Sequence, residues 1–149
     1  MNIHSHLINL ARFFLGELAI RVARIDDSEH GSVEAVTAGG VPCTFEFSYR
    51  TEGIWSEGIE FSFERGRIAI QLPAPFRPDG AATVILESAG ARKTVRTFEG
   101  MPWAFQRQAH AFVEDVRKRA EPLAGGRDAL GDLRFTEDAW RATLEARVP

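Results

Sequence analysis

Apolar residues near the start of the chain recur at a helical spacing. Ile3, Leu7, Leu10 and Phe14 fall three or four apart, and Ala11 and Leu15 widen the stripe. Gly16 is the expected stop, because glycine enters the left-handed conformation that closes a helix without a Cβ penalty. From Glu17 the period shortens to two. Leu18, Ile20 and Val22 alternate with Ala19, Arg21 and Ala23, a turn is expected at Asp26-Asp27-Ser28, and a second strand over 33–36 ends at Gly39-Gly40.

The middle of the chain carries the clearest strand patterns. Cys43, Phe45, Phe47 and Tyr49 alternate with Thr44, Glu46, Ser48 and Arg50, and Ile59, Phe61 and Phe63 alternate with Glu60, Ser62 and Glu64. A hairpin at Glu64-Arg65-Gly66-Arg67 returns through Ile68, Ile70 and Leu72. Pro73, Pro75 and Pro78 impose an extended connection, and strands over 82–88 and 92–98 meet at Ala89-Gly90. Helix returns after Met101-Pro102. Trp103, Phe105, Ala109, Phe112, Val113, Val116 and Ala120 form one stripe expected to lie on the sheet, with Arg107, Glu114, Arg117 and Lys118 largely opposite. Pro122 and Gly125-Gly126 interrupt, and a last helical region over 128–147 turns Leu130, Leu133, Trp140 and Leu144 inward. Thr136 could cap a separate second helix, with Phe135 and Trp140 as its staple; a single kinked helix fits nearly as well. The class predicted is α+β: a large, mostly antiparallel sheet of about six strands, helices packed on one face and the other face open for oligomerisation. Residues 1–149 are expected to form a single domain.

Composition narrows the function classes. The 149 residues are 44% hydrophobic and 26% charged, the balance of a globular domain able to bury a core without disulfides or metal. Eighteen bases against 21 acids leave a net charge of −3, spread along the chain. That removes the basic footprint of a nucleic-acid binder. The first twelve residues lack a signal-peptide pattern, no apolar run approaches a membrane span, and a cytoplasmic location without membrane contact is expected. Cys43, the one cysteine, sits in an alternating apolar run and reads as a small buried hydrophobe. Lys93 and Lys118 are the only lysines.

Candidate chemistry is sparse. His4 and His6 point about 200° apart on a helix, so they do not chelate a metal together. His30 borders a turn and His110 lies within the second long helix. Glu46, Glu60 and Glu64 share polar strand faces, where Arg50 or Arg67 can pair with them. No G-x-S-x-G, G-x-G-x-x-G or G-x-x-x-x-G-K-[ST] occurs, so neither a nucleophile elbow nor a phosphate-cradling loop is expected. No metal site and no cofactor-binding residue is assigned. The length is also short for a dinucleotide enzyme complete in itself.

Two runs resemble a known family. The segment from Asn2 to Glu17 is similar to the one entering the carboxy-terminal domain of the Gfo/Idh/MocA oxidoreductases, approximately D-x-G-x-H-x-x-D-x-x-R-x-x-x-G. His6, Arg12 and Gly16 match it. The runs 103–112 and 126–133 are similar to that family's closing helices, so the resemblance spans nearly the whole chain in the family's order. It implies a two-domain enzyme in which an amino-terminal Rossmann domain binds NAD(P), while a domain like this one covers the substrate and mediates oligomerisation through its open sheet.

The resemblance implies hydride transfer on a sugar or polyol, with His6 as the catalytic residue that carries over. Asn2 stands in place of the family aspartate, His4 in place of the glycine and Asn9 in place of the second aspartate. The family's E-K-P lysine has no counterpart; Glu121-Pro122 is the nearest trace. Three readings stay open: a carboxy-terminal domain of an NAD(P)-dependent oxidoreductase, inactive alone; a stand-alone oligomerisation or small-molecule-binding module that has lost the chemistry; and a subunit that offers His6 to another chain's active site. A homo-oligomer through the open sheet face and a separate Rossmann-domain chain are the expected partners. No cofactor is expected on this chain alone, and NAD(P) only where a Rossmann partner is supplied.

Overall fold

The computed structural model describes residues 5–27, 29–49, 55–88, 91–96 and 102–147. They form two compact units, the first from Met1–Gly53 with Ala124–Pro149 and the second from Ile54–Leu123. Helix α1 (Ser5–Leu15), strands β1 (Leu18–Asp27), β2 (His30–Thr37) and β3 (Pro42–Ser48), and helix α3 (Gly126–Glu145) build the first unit. Strands β4 (Glu57–Phe63), β5 (Gly66–Leu72), β6 (Thr83–Ser88) and β7 (Ala91–Arg96) and helix α2 (Ala104–Lys118) build the second.

In the first unit the three strands pair antiparallel in chain order. Helix α1 ends where the sequence predicts: Gly16 has φ +79° and its amide donates to the Arg12 carbonyl at 2.8 Å. Strand β1 departs from plain alternation. Its register with β2 shifts between Ile20 and Val22, so Arg21 is an extra residue and the inward parity changes there. Leu18 and Ile20 pack against the core before the bulge, and Ala23 and Ile25 fill it afterwards. Val22, expected to share a face with Leu18 and Ile20, is thereby turned to the other face. Val33 and Ala35 of β2, Ile8 of α1, and Phe135 and Ala139 of α3 complete the core, with Phe45 tilted against Phe135 at a ring separation of 5.1 Å.

Helix α3 is continuous over 20 residues, so Thr136 lies inside it and opens no second helix. Its buried stripe is Asp132, Phe135, Ala139 and Thr143, with Trp140 and Ala142 partly covered. Leu130, Leu133 and Leu144, expected inward, are exposed. The two stripes lie on neighbouring arcs of one helix, and packing selects the arc whose small Ala139 lets the helix approach β1 and whose Asp132 finds a cation. In α1 the buried pair is Ile8 and Ala11, while Phe14, expected within the stripe, is about half exposed. Ile3 lies outside the described residues.

The second unit is an antiparallel meander, β4-β5-β6-β7, with a two-residue turn at Glu64-Arg65 as expected. One face brings Ile59, Ile70 and Val84 into register, and beside them Phe61, Ile68 and Leu86. Between β5 and β6 the proline segment makes two successive turns, with Arg77 N–H donating to the Ala74 carbonyl and Gly80 N–H to Arg77. Helix α2 stops at Lys118 because Arg119 takes a left-handed conformation, φ 52°, without a glycine to mark it.

The α+β class holds. The strands do not join in one sheet of about six, however; they form a three-stranded and a four-stranded sheet. Alternation reports which residues share a face of a strand, but not whether successive strands share a hydrogen-bond ladder. Helix α2, expected on a sheet, buries none of its residues, and Phe105, Phe112, Val113 and Val116 are exposed. Its Trp103–Phe105 end is held at the proline segment instead, where Trp103 Nε1 donates to the Pro75 carbonyl and Phe105 stacks on Phe76.

The identity of the α3 core face is testable by denaturant unfolding. Phe135→Ala is expected to lower stability by about 3–5 kcal/mol, whereas Leu133→Ala should change it by about 0.5 kcal/mol or less.

Candidate functional site

The candidate site is built on α1 and the first turns of α3. Arg12 is the centre, its side chain only 9% exposed. One terminal nitrogen donates to Asp132 Oδ1 at 2.6 Å and to the Asp128 carbonyl at 3.0 Å; the other donates to Glu17 Oε1 at 2.7 Å and lies 3.2 Å from Asp128 Oδ1. Asn9, one turn earlier, sends its amide nitrogen to Asp128 Oδ2 at 2.5 Å and to Asp132 Oδ2 at 3.1 Å. Glu17, and after it Asp132, holds the Arg12 guanidinium well above its ordinary pKa, against the opposing effect of burial. Gly131 belongs to the same construction, because a Cβ there would run into the guanidinium.

These contacts assign roles that sequence alone left open. Arg12 and Gly16, two of the three matches to the family pattern, tie α1 to α3 and close α1. Asn9 is a donor between two carboxylates that can only accept, which gives the amide at this position a physical reason. The partners Asp128 and Asp132 were not singled out in the sequence. The signal available was Asp132 in line with Phe135 and Ala139, an acid on an otherwise apolar stripe.

Beside the cluster lies a small apolar pocket of about 40 Å³, lined by Leu7, Ile8, Val33, Phe45, Phe47, Phe135 and Ala139, with Glu46 the single charged residue. His6 sits in the first turn of α1 and is exposed. Asn2 and His4 lie outside the described residues. His30 begins β2 and is exposed; His110 is exposed on α2, on a surface it shares with Arg107 and Gln108. Glu60 pairs with Arg67, as does Glu87, so the expected pairing of strand-face acids with Arg67 is present. Cys43 is half buried, and burial pushes its thiol pKa up, away from nucleophilic use. Among the described residues no group of three His, Cys, Asp or Glu could hold a metal, and no helix is long and apolar enough to cross a membrane.

The described residues also show no dinucleotide cradle. Among the described residues every strand pair is antiparallel, so none of them forms the parallel βαβ unit whose glycine-rich turn receives a pyrophosphate.

The order of helix, antiparallel strands and two closing helices is that of an α+β domain found in oxidoreductases. In fold the chain resembles the carboxy-terminal domain of the Gfo/Idh/MocA oxidoreductases. An aldose-aldose oxidoreductase from Caulobacter crescentus, complexed with glycerol, matches 96% of this chain and 44% of its own at 21% identity and a TM-score of 0.75. A point variant of KijD10, a 3-ketoreductase from Actinomadura kijaniata in complex with TDP-benzene and NADP, matches 95% of this chain and 46% of its own at 20% identity and a TM-score of 0.74. A protein described as an NADPH-dependent oxidoreductase from Desulfitobacterium hafniense matches 99% of this chain and 46% of its own at 14% identity and a TM-score of 0.78. The chain thus spans less than half the length of each. No protein-family model and no curated protein matches it.

The role of Asn9 predicts the effect of restoring a carboxylate. Asn9→Asp replaces the bridging donor with a third acceptor among like charges, and near neutral pH it should cost about 1–3 kcal/mol. Urea unfolding of variant and parent measures the loss.

Proposed function

We propose that this chain is the substrate-covering, carboxy-terminal type of domain of an NAD(P)-dependent oxidoreductase acting on a sugar or polyol, with the nucleotide held by a Rossmann domain that these residues do not supply. The observation that carries the reading is the coverage: 95–99% of this chain, both compact units included, falls within less than half of reductases whose names state NADP or NADPH. That coverage supports reading residues 1–149 as a single domain comprising both units. The glycerol complex of the aldose-aldose oxidoreductase favours a polyhydroxylated substrate. His6, exposed at the start of a helix anchored by Arg12, is the group that would exchange a proton with a substrate hydroxyl, a task suited to an imidazole near neutral pH. Alone, the domain is inactive.

Titration calorimetry of this chain with NADPH should then give no binding, and micromolar affinity would overturn the division of labour. A second reading, an oligomerisation or small-molecule-binding module that has lost the chemistry, is favoured by one observation, Asn2 where the family carries aspartate.

Oligomerisation is common to both readings. No described side chain of the second unit is fully buried, and Ile59, Phe61, Ile68, Ile70, Val84 and Leu86 present one apolar sheet face. That face is proposed to pair with a second copy. Light scattering should report a dimer or larger assembly for the parent and a monomer for Leu86→Glu; a monomeric parent would count against it.

A further inference from the structure

His6, Asn9 and Arg12 follow one another at three-residue spacing, so they lie along one ridge of α1, each rising about 4.5 Å above the last. Two of the three are gripped by the same pair of carboxylates on α3. Apolar contacts hold part of α1. Ile8 and Ala11 are buried, Leu7, Leu10 and Leu15 are partly covered, and Phe13 and Phe14 are more than half exposed. Apolar contact is non-directional, and by itself it fixes the rotation of an 11-residue helix weakly. A guanidinium fork bonded to Asp132, the Asp128 carbonyl and Glu17 is directional, and the Asn9 amide adds a second fixed point one turn nearer His6.

We propose that Arg12 and Asn9 are positioning residues: their grip on Asp128 and Asp132 sets the rotation of α1, and so fixes where the His6 imidazole stands relative to the pocket that Leu7 and Ile8 line. The proposal rests on the reading of His6 as the substrate-facing residue. It adds that the precision of that residue comes from an ion cluster on the same ridge. Rotating α1 by one residue's worth, about 100°, would carry His6 away from its present side while leaving a helix that still buries apolar surface. The cluster excludes that alternative, because neither Asp128 nor Asp132 would then meet a donor.

NMR of histidine-labelled protein tests this directly, with the His6 ring resonance assigned by its loss in His6→Ala. Arg12→Lys keeps the charge and loses the fork; Asn9→Ala removes the second point. In both, amide protection within α1 should fall by about tenfold or more. The His6 Cε1–H resonance should move toward its position in the urea-unfolded chain, while those of His30 on β2 and His110 on α2 stay in place. A purely stabilising cluster would leave all three resonances unmoved in any variant that still folds, and that result overturns the proposal. If Arg12→Lys does not fold, Asp128→Asn, which loosens one partly exposed arm, is judged by the same resonances. Glucose titration of His6→Ala addresses the other reading separately: unchanged affinity would refute the substrate-facing role of His6 and leave the positioning result intact.

Discussion

The buried ion pair between Arg12 and Asp132 is the interaction on which the first unit depends. Taking a guanidinium and a carboxylate out of water costs several kcal/mol per ion, and attraction offsets that only where the remaining hydrogen-bonding capacity is used. Here it is. Arg12 meets Asp132, the Asp128 carbonyl and Glu17, and Asn9 occupies the second oxygens of both aspartates. The pair joins segments 120 positions apart in sequence. It is thereby a closure between the two ends of the chain, and at the far end of α3 Arg147 adds another, donating to the carbonyls of Ile25 and Asp26.

This closure explains why a family-like pattern survives in a chain with so little recognisable chemistry. Arg12, Gly16 and the run through Asp128 and Asp132 are demanded by the joining of α1 to α3, whatever the domain does. Asn9 argues the same way. It stands where the family pattern has an aspartate, and between two acceptors an amide is the group the local electrostatics require.

The two units differ in what they bury. The first has a core centred on Ile25, which is wholly enclosed, while the second leaves its apolar side chains half covered. Exposed apolar surface on a meander of good strand-forming sequence is a physical demand for a cover. It is also why a partner, whether a second copy or a further domain, belongs to the functional proposal and not only to the resemblance that suggested it.

The sequence by itself determined the local elements. Period two placed β3, β4 and β5, the 3.6-residue period placed all three helices, and Gly16 ended α1, because these features depend on neighbours a few residues away. It also determined the α+β class. Tertiary structure alone decided which arc of α3 faces inward, since two adjacent arcs were both apolar enough and only the fit to β1 and the presence of Arg12 separates them. It decided the bulge at Arg21, which reverses the parity of β1, and the division into two sheets, because ladders form between strands and leave no mark within one. For the candidate site, His6 and Arg12 were legible as types in a spacing. That Arg12 would find Asp132, and Asn9 both aspartates, required the ends of the chain to meet.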